Sequence, residues 1–169
     1  LFVDVENIPA NAFSDSTGIV ELKFGDSVRS IGKSSFSSCN SLPSVVLAGG
    51  ITSVGDRAFA DCVKIKEVVI GSSVKTMGRD LFDGCDALAD LTLHSNPTER
   101  AFANRTSLQS LSFGEEVTGI ADQAFIGCTG LQVIQMSRNI EIIGERSFAG
   151  CAALFSVIFP ERISSIGNH

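Results

Sequence analysis

Phenylalanine recurs along this chain on a fixed clock. Phe13, Phe36, Phe59 and Phe82 stand 23 residues apart, Phe102 follows after 20, and Phe125 and Phe148 each follow after a further 23. Self-similarity at such a period is the signature of a solenoid, and it constrains the fold more than any local propensity. The cysteines keep the same time: Cys39, Cys62, Cys85, Cys128 and Cys151 each lie three residues after a repeat Phe. Beyond that slot comes an aliphatic residue, in order Ile19, Leu42, Ile65, Leu88, Leu108, Leu131 and Leu154.

That residue opens an L-x-x-V-x-L pattern, completed by Leu22/Phe24, Val45/Leu47, Val68/Ile70, Leu91/Leu93, Leu111/Phe113, Ile134/Met136 and Val157/Phe159. Alternation at period two predicts a strand with one face buried. A V-x-x-I-G segment follows, as in Val28/Ile31/Gly32 and Ile140/Ile143/Gly144, its Gly expected where a Cβ would obstruct a turn. Pro9 and Ala121 replace that Gly in two repeats. Each unit closes on a variant of "DRAFADC", read as a one- or two-turn helix leading to the next strand.

A unit of 23 residues cannot bury its own apolar stripe. Stacked about 4.8 Å apart as parallel strands, such units build one continuous core. The predicted fold class is therefore an α/β repeat solenoid of about seven units of roughly 23 residues, forming one domain over residues 1–169. A parallel β-sheet is expected on one face, with short helical turns and extended connections on the other. The order L-x-x-V-x-L, V-x-x-I-G, A-F-x-x-C resembles the BspA-like, or Treponema pallidum-type, leucine-rich repeat family, over essentially the whole chain.

Composition excludes several functions. Hydrophobic residues at 44% and charged residues at 19% exclude disorder. A net charge of -6 and the absence of Trp and Tyr argue against nucleic acid, which needs clustered cations and stacking partners. No apolar run approaches the roughly 20 residues that span a bilayer, so no membrane insertion by this segment is expected. Five thiols at 23-residue spacing do not make the short paired spacings of a zinc site, and parallel Cβ vectors are poorly aimed for bridging. A ladder of buried free thiols is expected, with a single adventitious bridge as the alternative. The Phe column reads as core, not as a cofactor box.

Two charge columns precede each Phe: Lys33, Asp56, Arg79, Glu99, Asp122, Glu145 and Ser34, Arg57, Asp80, Arg100, Gln123, Arg146. They read as rung-to-rung pairs on a solvated face, each contributing about 0–1 kcal/mol. Catalysis has little support. His94, with Asp90 before it and Ser112 on the next rung, does not have triad spacing, and His169 stands at the chain end. Neither a phosphate-binding Gly-rich loop nor a metal motif appears. The chain reads as non-enzymatic, and no cofactor is expected.

The strand residues that point outward form the candidate binding face. Its central column is Lys23, Val46, Val69, Thr92, Ser112, Gln135 and Ile158, flanked by Glu67, Asp90 and Phe155 among others. Val46, Val69, Val133, Phe155 and Ile158 are more apolar than a wet parallel face requires. Either a protein partner covers them or they record β-propensity alone. The resemblance implies a cell-surface or secreted adhesion and recognition module whose ligand is a host or matrix protein. The alternative is an intracellular interaction scaffold in the cytoplasm, which free thiols suit. Leu1 begins at a strand slot, and the chain stops after Ile166-Gly167 without its closing segment. These features predict a fragment of a longer chain with uncapped ends able to self-associate.

One repeat is irregular. Over 94–105 the chain has lost three residues: "HSNPTER" replaces V-x-x-I-G, and Arg105 stands where interior neighbours carry Cys. A buried unpaired Arg is costly, so its guanidinium is expected to reach water toward Glu99 or Asp122. Asn104 heads the only N-x-[ST] triplet free of Pro, a candidate glycosylation acceptor under eukaryotic secretion. The segment reads either as a tolerated defect that bends the stack or as a site.

Overall fold

The computed structural model describes residues 1–168; His169 lies outside them. Its strands are β1 (Phe2–Val3), β2 (Asn7–Ile8), β3 (Lys23–Phe24), β4 (Ser30–Ile31), β5 (Ser44–Leu47), β6 (Ser53–Val54), β7 (Glu67–Ile70), β8 (Thr76–Met77), β9 (Asp90–Leu93), β10 (Ser110–Phe113), β11 (Gly119–Ile120), β12 (Val133–Gln135), β13 (Ile142–Ile143) and β14 (Ser165–Ile166). All pairing is parallel. The main sheet runs β5-β7-β9-β10-β12, and β1 pairs with β3 alone. The V-x-x-I-G segments, expected as extended connections, pair as a second parallel sheet. It falls into two parts, β2-β4-β6-β8 and β11-β13-β14.

One apolar core runs from Val3 to Ile143 inside these turns. Phe36, Phe59, Phe82, Phe102 and Phe125 are buried within it. Their rings stack in parallel, with centroids 5.3 Å apart at Phe36–Phe59 and 5.5 Å at Phe59–Phe82. Close rung spacing explains the repeated Gly: a Cβ on Gly55 would lie 2.7 Å from the Lys33 nitrogen of the rung before.

The expected short helices do not form among the described residues. The closing segment places two residues in the left-handed region four apart, such as Ser34 (φ 53°) with Ser38 (φ 58°) and Arg57 (φ 53°) with Asp61 (φ 60°). A right-handed helix cannot pass through such residues. Alternate amides instead leave the segment and bond to the next rung: Ser34 to the Asp56 carbonyl, Phe36 to Ala58, Ser38 to Ala60. The turns therefore stack as a third ladder, beside the two sheets.

Each ladder is interrupted somewhere. In the main sheet, a strand begins when its first amide bonds back one rung: Lys66 to the Pro43 carbonyl, Ala89 to Lys66, Gln109 to Ala89, Gln132 to Gln109. Pro43 holds this position in its rung and has no N–H, so β5 does not close on β3. A strand ends when Gly71, His94 or Gly114 bonds back in the same way. Pro160 holds that position in the last rung. The strand expected at Val157/Phe159 is absent: the Phe155 amide, at the starting position, makes no bond back to Gln132, and Phe155 and Ile158 stand 86% and 85% exposed.

The shortened rung interrupts the other two ladders. The second sheet stops after β8, and the amides of Asp80, Phe82 and Gly84 make no bond to the next rung, while the Phe82–Phe102 centroid distance widens to 6.3 Å. Side chains bridge the break. In regular rungs two adjacent amides share one carbonyl, as Lys75 (2.8 Å) and Thr76 (3.2 Å) share that of Thr52. Here Thr118 (2.9 Å) and Gly119 (3.3 Å) share the Asn96 side-chain Oδ1. Pro97 fills the buried slot of the missing Ile, and Thr98 Oγ1 donates to the Met77 carbonyl at 2.9 Å.

Arg105 does not reach out to Glu99 or Asp122. Its side chain is only 10% exposed, and Nη2 meets Asp83 Oδ1 at 2.9 Å. The reason lies in the slot it occupies. Regular rungs use the Cys thiol to donate to the Phe carbonyl one rung back, as Cys62 does to Phe36 and Cys85 to Phe59, each at 3.1 Å. Arg105 Nη1 donates at 2.6 Å to the Phe82 carbonyl across the widened gap, and Nε donates to Ala103. Asp83 also holds Arg57 Nη1 at 2.8 Å, so one carboxylate ties three rungs together. The two guanidiniums, Arg105 first, hold its carboxyl below the usual carboxylate range.

Candidate functional site

The main sheet sets its outward residues in rows one rung apart. Register pairs Val46 with Val69, Val69 with Thr92, Thr92 with Ser112, and Ser112 with Gln135. Their strand neighbours Val45, Leu47, Val68, Ile70, Leu91, Leu93 and Leu111 are buried, so alternation directs this row outward. Val46 is 51% exposed, Val69, Thr92 and Ser112 are half-buried, and Gln135 is exposed. In the flanking row Glu67 lies directly opposite Asp90, both exposed. Like charges in that position repel, and neither is in an ion pair among the described residues.

Not every candidate residue joins this surface. Lys23 pairs with Phe2 on the separate two-stranded sheet, and its ammonium meets Glu21 at 2.9 Å. Ile158 and Phe155 lie beyond the sheet, on chain without strand structure. The five in-register residues, with Glu67 and Asp90, are the part that the fold brings together.

The residues weighed for other chemistry have structural partners. His94 Nδ1 lies 3.1 Å from Glu116 Oε2, and neither Asp90 nor Ser112 bonds to it. All five cysteines are free, and Cys39, Cys62, Cys85 and Cys128 are buried. Burial pushes the Cys128 thiol up to about 12 and also raises that of Cys151. These two are held as protonated donors to the Phe102 and Phe125 carbonyls, not as thiolate nucleophiles. Asn104 is exposed, at φ 60°, in a turn of the shortened rung. Among the described residues no group of three or more His, Cys, Asp or Glu converges on a metal position.

What sequence reasoning missed is the groove beside the row. Where β5 fails to close on β3, a cleft of about 790 Å³ opens, lined by Phe2, Val20, Leu22 and Phe24 on one side and by Pro43 and Val46 on the other. The signal was Pro43 at the head of a strand.

The family model of the BspA type leucine rich repeat region matches in six copies over residues 6–99 and 98–169. The chain belongs to the BspA-type leucine-rich repeat family. Among solved structures, it is similar to the leucine-rich repeat protein of T. pallidum, at 26% identity and a TM-score of 0.71, over 90% of this chain and 77% of that one. A leucine-rich repeat protein of Eubacterium ventriosum superposes with a TM-score of 0.66 at 15% identity, over 95% of this chain and 56% of the other. A leucine-rich cell surface protein of Faecalibacterium prausnitzii does so at 0.53 and 21%, over 91% and 58%. The last two likenesses concern the fold alone. No curated protein matches.

Proposed function

We propose that this BspA-type solenoid is a non-enzymatic recognition and adhesion module of a cell-surface or secreted protein. It binds a protein partner through the outward face of the main sheet. The observation that carries the reading is the in-register row Val46, Val69, Thr92, Ser112 and Gln135, whose apolar end is exposed beside the unpaired carboxylates Glu67 and Asp90. Exposed apolar strand residues favour partner contact, and the carboxylates select a ligand that supplies a cation there. The cell-surface assignment is supported by membership of the BspA-type family.

A binding screen against matrix and cell-surface proteins tests this, with Val69→Glu as the control. Captured ligands are expected to lose affinity by at least about tenfold on that substitution. Binding that Val69→Glu leaves intact removes this face from consideration. A second reading, an intracellular interaction scaffold, is favoured by the five free cysteines. Imaging the native protein in its own cells separates the two: label outside the membrane supports the first, label inside the second.

A further inference from the structure

The row of outward side chains does not use the edge of the sheet, and the edge carries its own chemistry. In the interior of the sheet Asp90 and His94 donate their amides to the carbonyls of Lys66 and Ile70, 3.0 and 2.8 Å away. The same register would send the amides of Ser44 and Ala48 to Val20 and Phe24. Neither bond forms, because Pro43 cannot make the contact that starts the ladder. Ser44, Val46 and Ala48 are exposed along this edge. On the far side Leu22 and Phe24 are only partly buried, whereas their counterparts Val45, Leu47, Val68 and Ile70 are fully so. The cleft thus offers unpaired backbone donors above an apolar floor.

The break is held open without loss of the stack. In the same two rungs the second sheet is intact, Ser30 pairing with Ser53 and Ile31 with Val54, and the turn ladder is complete from Ser34 to Ser38. The rings of Phe36 and Phe59 remain 5.3 Å apart.

We infer that the free edge of β5 is a peptide-binding site that takes an extended segment of a partner protein as an added strand. Donors on alternate residues of one strand lie roughly 6.6–7 Å apart. An extended peptide backbone supplies carbonyls at that repeat, which a compact small molecule does not. Apolar side chains on alternate residues of the segment settle on Leu22 and Phe24, with Phe2, Val20 and Val46 at the rim. The site shares Val46 with the outward row of the proposed recognition face but stands on its own observations, the unpaired amides of the edge and the apolar floor below them.

The test uses isotope-labelled chain and a synthetic peptide with the sequence of its own Lys66–Ser73, a strand that already accepts the amides of Asp90 and His94 in this register. Addition is expected to shift the amides of Ser44, Val46 and Ala48 and to slow their hydrogen exchange by at least about tenfold. The same peptide, N-methylated at alternate residues, leaves them unchanged. Shifts centred on Val69, Thr92 and Ser112, an equal response to the methylated peptide, or no response overturn the inference. So does protection of these amides that rises with protein concentration alongside dimers in sedimentation, which assigns the edge to a second copy. Val69→Glu is expected to leave the titration unchanged, so failure at the edge and failure of the face are read separately.

Discussion

Two junctions in this solenoid fail in opposite ways. Between the rungs of Phe36 and Phe59 the main sheet is open, while the second sheet and the stacked turns run through. Between the rungs of Phe82 and Phe102 the main sheet runs through, while the second sheet stops and the turn ladder lapses. In neither place do all the ladders break together. Cohesion in this fold is redundant, and local exceptions are tolerated where another ladder carries the stack. The two breaks also differ in what fills them: the one in the main sheet leaves an open cleft, whereas the one on the opposite side is filled in by Asn96, Pro97, Thr98 and Arg105.

Substitutions sharpen this contrast. The largest effect is expected from Phe82→Ala, which removes a buried ring at the widened junction and should cost about 3–5 kcal/mol in denaturant unfolding. A midpoint that barely moves breaks the claim that the ring column is core. Next is Arg105→Ala, which leaves the Phe82 carbonyl and Asp83 without their donor and is expected to cost about 1–3 kcal/mol. Asn96→Ala, which deprives Thr118 and Gly119 of their shared acceptor, should cost about 0.5–1.5 kcal/mol. Losses as large at the exposed, regular Thr52 as at Asn96 would deny that the side chain replaces a missing backbone group.

Acid adds a smaller test of the same clamp. The Asp83 carboxyl is depressed in the folded chain, so it contributes stability above the usual carboxylate range. That contribution falls away as pH drops from about 4 through its folded value. Its partial exposure keeps the effect modest. In Arg105→Ala the loss of stability over this acidic window should be shallower. The slightest change is expected from Pro43→Ala, which restores an amide at the open junction. Slower exchange at Ser44 and Ala48, with little change in unfolding, fits Pro43 as the element that holds the cleft open.

The architecture was legible because a repeat states its register many times over. The Phe and Cys columns, the alternating strand residues and the family all follow from spacing that no single exception disturbs. The helices were misread because the closing segment has ordinary helix-compatible composition; what forbids a helix is left-handed backbone at Arg57 and Asp61, imposed by bonding to the next rung. Arg105 was misplaced for a related reason. Sequence shows that it replaces Cys, but only the geometry shows that its length carries the guanidinium back to the Phe82 carbonyl across the widened junction. Lys23, Phe155 and Ile158 were put in the candidate face on repeat spacing alone, which registers neither the N–H missing at Pro43 nor the failure of the Phe155 amide to bond back to the rung before.

Native-state hydrogen exchange measured amide by amide tests the redundancy of the ladders most directly. The account predicts fast exchange at Ser44 and Ala48 with protected Ser34 and Ser38, and the reverse at the shortened rung, where Asp80 and Gly84 exchange fast while Asp90 and His94 are protected. Ser44 and Ala48 as protected as Asp90 and His94, or Asp80 and Gly84 as protected as Arg57 and Asp61, would contradict it.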